Sequence, residues 1–215
     1  MKMLNSLIFA AGVSLATTAF AADYNVSAQA PAPSAAISGP MTAQDFVSDA
    51  VWGGDKEVAL GKLAQERSQN PDVKAFGQQM IRDHSRANQQ LITICDREGL
   101  SYPATSQNQP SLDNPKGLPA KELGMPPLTQ RNADIVVYRD LGSLNGADFD
   151  KAYADAMVKD HQEDIQKFEN AQATLNDPQL KQFASQTLPT LREHYRMAQD
   201  LQAKVGGTSA TIRTP

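Results

Sequence analysis

Four residues of metal-ligand type, Glu57, His84, His161 and His194, occupy positions where helical spacing demands an apolar residue. His84 lies on the seam Val73, Gly77, Met80, His84, Ala87, Leu91, Ile94, which rises alternately by four and three. His161 falls on Ala154, Val158, His161, Ile165, Phe168, and His194 on Leu180, Ala184, Thr187, Leu191, His194, Ala198, Leu201. Glu57 follows Phe46, Ala50 and Gly53 and precedes Leu60 and Ala64. All three histidines of the chain take part. Burying imidazoles and a carboxylate is costly unless they are paired or ligating. A metal ion would satisfy them together, and a Glu-plus-His set suits iron, copper, zinc or manganese. The alternative is a polar network without metal, in which Glu57 bonds to the histidines and fixes helix register.

Asp83, Asp160 and Glu193 each precede a seam histidine by one residue, about 100° around the helix, where each can serve as an outer partner or as a solvated surface charge. Met80 and Met157, four residues before His84 and His161, share their faces; thioether with imidazole would favour copper, and core filling is the plainer role. Arg86 and Arg196 face outward as surface charges.

Four long helices must position these residues. Thr42 is an N-cap residue, and the first helix runs from there to Ser68. Gly53-Gly54 inside it points to close approach of a neighbouring helix. Asn70-Pro71-Asp72 turns into a second helix that ends near Glu98 at Gly99. The third spans about Ala147 to Leu175, and Asn176-Asp177-Pro178 turns into a fourth from Gln179 to about Val205. Pro189 inside the fourth should kink or loosen it. Residues 99–146 form a Pro-rich crossover, with a short helix possible from Asp134 to Leu144.

The two halves repeat. Pro-x-aliphatic-Lys-x-Phe opens both the second and fourth helices, and His84, Arg86, Gln89 and Leu91 match His194, Arg196, Gln199 and Leu201 in spacing. Two helical hairpins joined by a long crossover describe an all-α four-helix bundle whose core supplies ligands. Glu57 and His84 lie about equally far from the turn at Asn70, and His161 and His194 are similarly placed about Asn176. At 1.5 Å per residue all four fall roughly 20 to 27 Å from their turns, which predicts one shared layer.

Lys2, the apolar run from Leu4 to Phe20 and the triplet Ala19-Phe20-Ala21 predict a secretory signal peptide cut after Ala21, so a periplasmic or secreted protein. No later stretch has the length of a membrane span. Residues 22–40, rich in Ala, Pro and Ser, read as a flexible leader, 41–205 as the bundle, and 206–215 as a disordered tail. A formal charge of −4 without a basic cluster argues against nucleic acid. The lone cysteine, Cys95, cannot form an intrachain disulfide and reads as a small buried hydrophobe. No nucleophile-base pair or phosphate loop is visible, which leaves an enzyme the weakest reading.

Several motifs resemble a family of exported bacterial proteins known as domain of unknown function 4142, also labelled predicted outer membrane proteins. They are Phe46-Val47 with Gly54-x-x-Glu57-x-x-Leu60-Gly61, Val73-Lys74-x-Phe76-x-x-x-Met80-x-x-Asp83-His84, Phe149-Asp150-x-x-Tyr153 before Asp160-His161-Gln162, and Leu188-Pro189-x-Leu191-x-x-His194. The resemblance covers roughly Thr42 to Ala203 and implies a ferritin-like bundle. It does not imply di-iron oxygen chemistry, because Ile81 and Leu191 stand three residues before His84 and His194, where a Glu-x-x-His pattern needs glutamate. No alternating ten-residue strands appear, so a barrel is not expected. Two functions follow as expectations: a metal-binding bundle, or an envelope stress or interaction protein with a protein partner and a structural polar layer.

Overall fold

The computed structural model describes residues 40–104 and 128–207. The expected signal peptide, nearly all of the leader, residues 105–127 of the crossover and the end of the tail lie outside the described residues. Among the described residues there are five helices: α1 (Ala43–Arg67), α2 (Pro71–Glu98), α3 (Leu128–Gly142), α4 (Gly146–Thr174) and α5 (Pro178–Gly206).

Local chemistry sets their ends. Thr42 accepts a hydrogen bond from the Asp45 amide at 3.1 Å, and Asn70 accepts one from Asp72 with Pro71 as the first helical residue. Gly99 closes α2 at φ 68°, a left-handed conformation that only glycine adopts without strain, and its amide reaches the Cys95 carbonyl. Asp177 caps α5 by accepting from the amides of Gln179 and Leu180. α3 begins earlier than the Asp134 start that the sequence suggests. α5 stays helical through Pro189.

α1 pairs along α2 and α4 along α5; α2 meets α5, α1 meets α4, and α3 lies against α1 and α4. The apolar core falls into two clusters. One holds Phe46, Val51, Leu91, Cys95, Phe168, Leu180 and Leu191; the other holds Leu60, Val73, Met80, Phe149, Met157 and Leu201. In each of the four long helices the seam residue Glu57, His84, His161 or His194 separates residues of one cluster from residues of the other. The turn at 68–70 adjoins the second cluster and the turn at 175–177 the first, so the hairpins run in opposite directions.

Glycine allows close helix contact at Gly54, as the Gly53-Gly54 pair suggests, and again at Gly61. A Cβ on Gly61 would lie 2.5 Å from the Gly77 carbonyl oxygen, so α1 and α2 touch backbone to backbone there. At Gly54 the neighbour is the side chain of Asn88, and at Gly53 there is ordinary room.

Candidate metal centre

The layer between the two clusters is polar and sealed. His161 is 0% exposed, His194 2% and His84 7%. One ring nitrogen from each histidine lies within 4.8 Å of the corresponding nitrogens of the other two. The ring centroids are 5.4 to 5.7 Å apart. Tetrahedral coordination at about 2.1 Å would bring ligand nitrogens to about 3.4 Å, so small side-chain rotations would close the set.

Hydrogen bonds assign two of the tautomers. His161 Nδ1 lies 2.9 Å from the Met157 carbonyl oxygen, which can only accept, so Nδ1 carries the proton and Nε2 is a bare lone pair. His194 Nε2 donates to Asp83 Oδ2 at 2.9 Å, leaving Nδ1 bare. His161 Nε2, His194 Nδ1 and His84 Nε2 are all buried without a hydrogen-bond partner. Such unpartnered ring nitrogens are costly in a dry core, and a cation would satisfy them together. The backbone carbonyl and the carboxylate behind the rings are the outer partners that orient metal-binding imidazoles.

The histidines are neutral and ready to ligate. Burial lowers the pKa of all three. At His84 the charges of His161, His194 and Lys56 add to the effect. His161 is pushed down to about 4, chiefly by burial, with Asp164 opposing. Burial also lowers His194, against the pull of Asp83. Burial pushes Asp83 upward, yet hydrogen bonds from His194 and Gln79 outweigh it and hold the carboxyl below its ordinary value.

Glu57 is 0% exposed and neither carboxylate oxygen has a partner. Burial, then the charge of Asp160, raises its pKa well above the ordinary value against the pull of Lys56. It is not one of the three residues whose ligand atoms lie within 4.8 Å of one another. Tyr153, also buried with an unpartnered hydroxyl, feels the Glu57 charge.

The remaining expected residues divide. Asp83 does serve a histidine, but the one on the opposite hairpin rather than its neighbour in sequence. Asp160 pairs with Lys56 at 3.2 Å. Glu193 takes the solvated alternative: it is exposed and held by Arg196 at 2.7 Å, because that face of α5 turns to solvent. Met80 and Met157 are fully buried in the second apolar cluster, and Met157 contributes its backbone oxygen to His161.

Sequence reasoning missed Lys56. Its ammonium reaches Asp160 and, at 3.5 Å, Asp134 of α3, whose other oxygen accepts from Trp52 Nε1 at 2.8 Å. Burial works against this charge, but Asp160, Glu57, Asp164 and Asp134 together hold its pKa above the ordinary value. The signal was a lysine beside a seam glutamate, which resembles any surface charge until α3 covers it. Cys95 is fully buried and burial pushes its thiol up to about 12, so it is an inert part of the core.

Fold and site together define an all-α bundle with a buried three-histidine layer. The family model for Domain of unknown function (DUF4142) matches residues 26–201, and the chain belongs to that family. Among solved structures it is similar to a candidate secreted DUF305 protein from Streptomyces coelicolor, at 15% identity and TM-score 0.56 over 75% of this chain and 92% of that one. It is also similar to a DUF305 fragment from Deinococcus radiodurans, at 16% identity and TM-score 0.57 over 77% and 99%. These likenesses support the bundle fold alone. No functionally curated protein matches the chain.

Proposed function

We propose that the protein is an exported bundle that binds one transition-metal ion between His84, His161 and His194, with Glu57 as the charged fourth ligand after a side-chain rotation. One observation carries the reading: three buried histidines on three helices each hold an unpartnered ring nitrogen, and each brings a ring nitrogen within 4.8 Å of the other two. Three neutral imidazoles and one carboxylate suit iron, copper, zinc or manganese. The sequence features of residues 1–21 support export to the periplasm or beyond, and among the described residues no helix is long and apolar enough to cross a membrane.

The test is elemental analysis of protein purified from the periplasm without affinity metal, beside His84→Ala. Stoichiometric metal in the wild type and its loss in the variant is the expected result. Substoichiometric metal, even after incubation with all four ions, would reject the reading. A second reading, an envelope interaction protein with a structural polar layer, draws on the exposed apolar side chains Ile135, Val136 and Tyr138 of α3. It gains if no metal binds.

A further inference from the structure

A sealed layer needs a way in. Apolar clusters close both of its ends, and His161 and His194 are almost completely covered. His84 is the least covered of the three, and it lines a cavity of about 20 Å³, room for one water-sized particle. The cavity wall carries two carboxylates, Asp49 of α1 and Asp164 of α4, and one ammonium, Lys167, which lies 3.6 Å from Asp164. Gly53 and Gly54 also line it and add no side chain to fill the space.

We infer that this cavity is the entry route by which a divalent cation sheds water and reaches the histidine layer, with Asp49 and Asp164 as its intermediate ligands. The inference rests on the metal-binding reading above. Three independent features support it. The unpartnered Nε2 belongs to His84, a residue more than nine-tenths buried that lines the cavity, so the route has a ligand at its inner end. Asp164 of α4 faces α1 across the cavity: its carboxylate lies 3.9 Å from where a Cβ on Gly53 would stand, and it holds the Lys167 ammonium at 3.6 Å. Finally, the cavity wall sets two carboxylates against one ammonium, and low-dielectric walls focus the field of ionised carboxylates on cations. An incoming ion would displace the Lys167 ammonium from Asp164 and exchange waters for carboxylate oxygens before imidazole takes over.

The route also accounts for Gly53. A Cβ there would meet nothing closer than 3.9 Å, so close helix packing does not require glycine. What glycine preserves is the space.

The experiment is stopped-flow uptake of Co²⁺, read by its visible absorption, by metal-free protein, with release measured by chelator competition. Gly53→Leu should fill the cavity and slow both uptake and release about tenfold, while the final Co²⁺ spectrum and the equilibrium affinity stay near wild type. Asp49→Asn should slow uptake at low ionic strength by about threefold and weaken its salt dependence. If Gly53→Leu fails to fold, Asp49→Asn decides. Wild-type rates in both variants would overturn the route while leaving the metal site intact. Absence of Co²⁺ binding to the wild type would overturn the route and the metal site together.

Discussion

His161→Leu in the metal-free protein isolates the energetic penalty of the proposed site. His161 is completely buried, and its pKa is pushed from 6.5 down to about 4, mainly by burial. A group whose folded-state pKa is depressed contributes stability that is fully present above its unfolded pKa and is lost as pH falls toward the folded value. The window is therefore about pH 6.5 down to 4. Between pH 7 and pH 5 the unfolded chain takes up a proton that the native ring refuses, over roughly 1.5 pH units. At about 1.4 kcal/mol per unit this costs about 2 kcal/mol. Leucine cannot titrate and removes one orphaned ring nitrogen. Urea denaturation at pH 7 and pH 5 should show the wild type losing about 2 kcal/mol more than His161→Leu. On a domain of this size that is a difference of roughly 4 to 8 °C in Tm. His84 and His194 add slope to both proteins and cancel in the comparison to first order. Equal losses in the two proteins would refute the assignment of His161 as a ring held neutral by burial.

Three further outcomes can be checked with the same methods. Glu57 has a raised folded pKa, so its contribution has the opposite sign: stability present below about pH 4.5 is lost as pH rises, and Glu57→Gln without metal should gain on the wild type by about 1.4 kcal/mol per pH unit while the buried acid keeps its proton. Lys56→Met leaves Asp160, 14% exposed, without the Lys56 ammonium; thermal denaturation should report a loss of about 3 to 5 kcal/mol. Gly61→Ala drives a methyl into the Gly77 carbonyl and should destabilise by about 1 to 2 kcal/mol despite better helix propensity, whereas Gly53→Ala, whose Cβ would make only ordinary contact with Asp164, should stabilise by up to about 1 kcal/mol in a chemical melt.

The site was half legible in the chain. Helical periodicity marks His84, His161 and His194 as inward-facing because a buried stripe constrains every residue on it, and the distances to the two turns set their common level. Such a count cannot say which way a neighbour off the seam points. Asp83, Asp160 and Glu193 hold the same position relative to their histidines, yet one bonds a histidine, one a buried lysine and one a surface arginine. The short helix expected from Asp134 is α3, but its start at Leu128 was not legible, since Ile135, Val136 and Tyr138 are exposed rather than arranged as a buried stripe.

What the sequence by itself determined are the helix ends, through Thr42, Asn70, Gly99 and Asp177, and the seams that place three histidines in one apolar core. Capping and periodicity act over a few residues, so they can be read locally. Only the tertiary structure decided that the hairpins run oppositely, that Asp83 reaches His194 across them, that Lys56 is buried beneath α3, and that Asp49 and Asp164 border a cavity at His84. Those relations join residues distant in sequence, and they exist only once packing has brought the helices together.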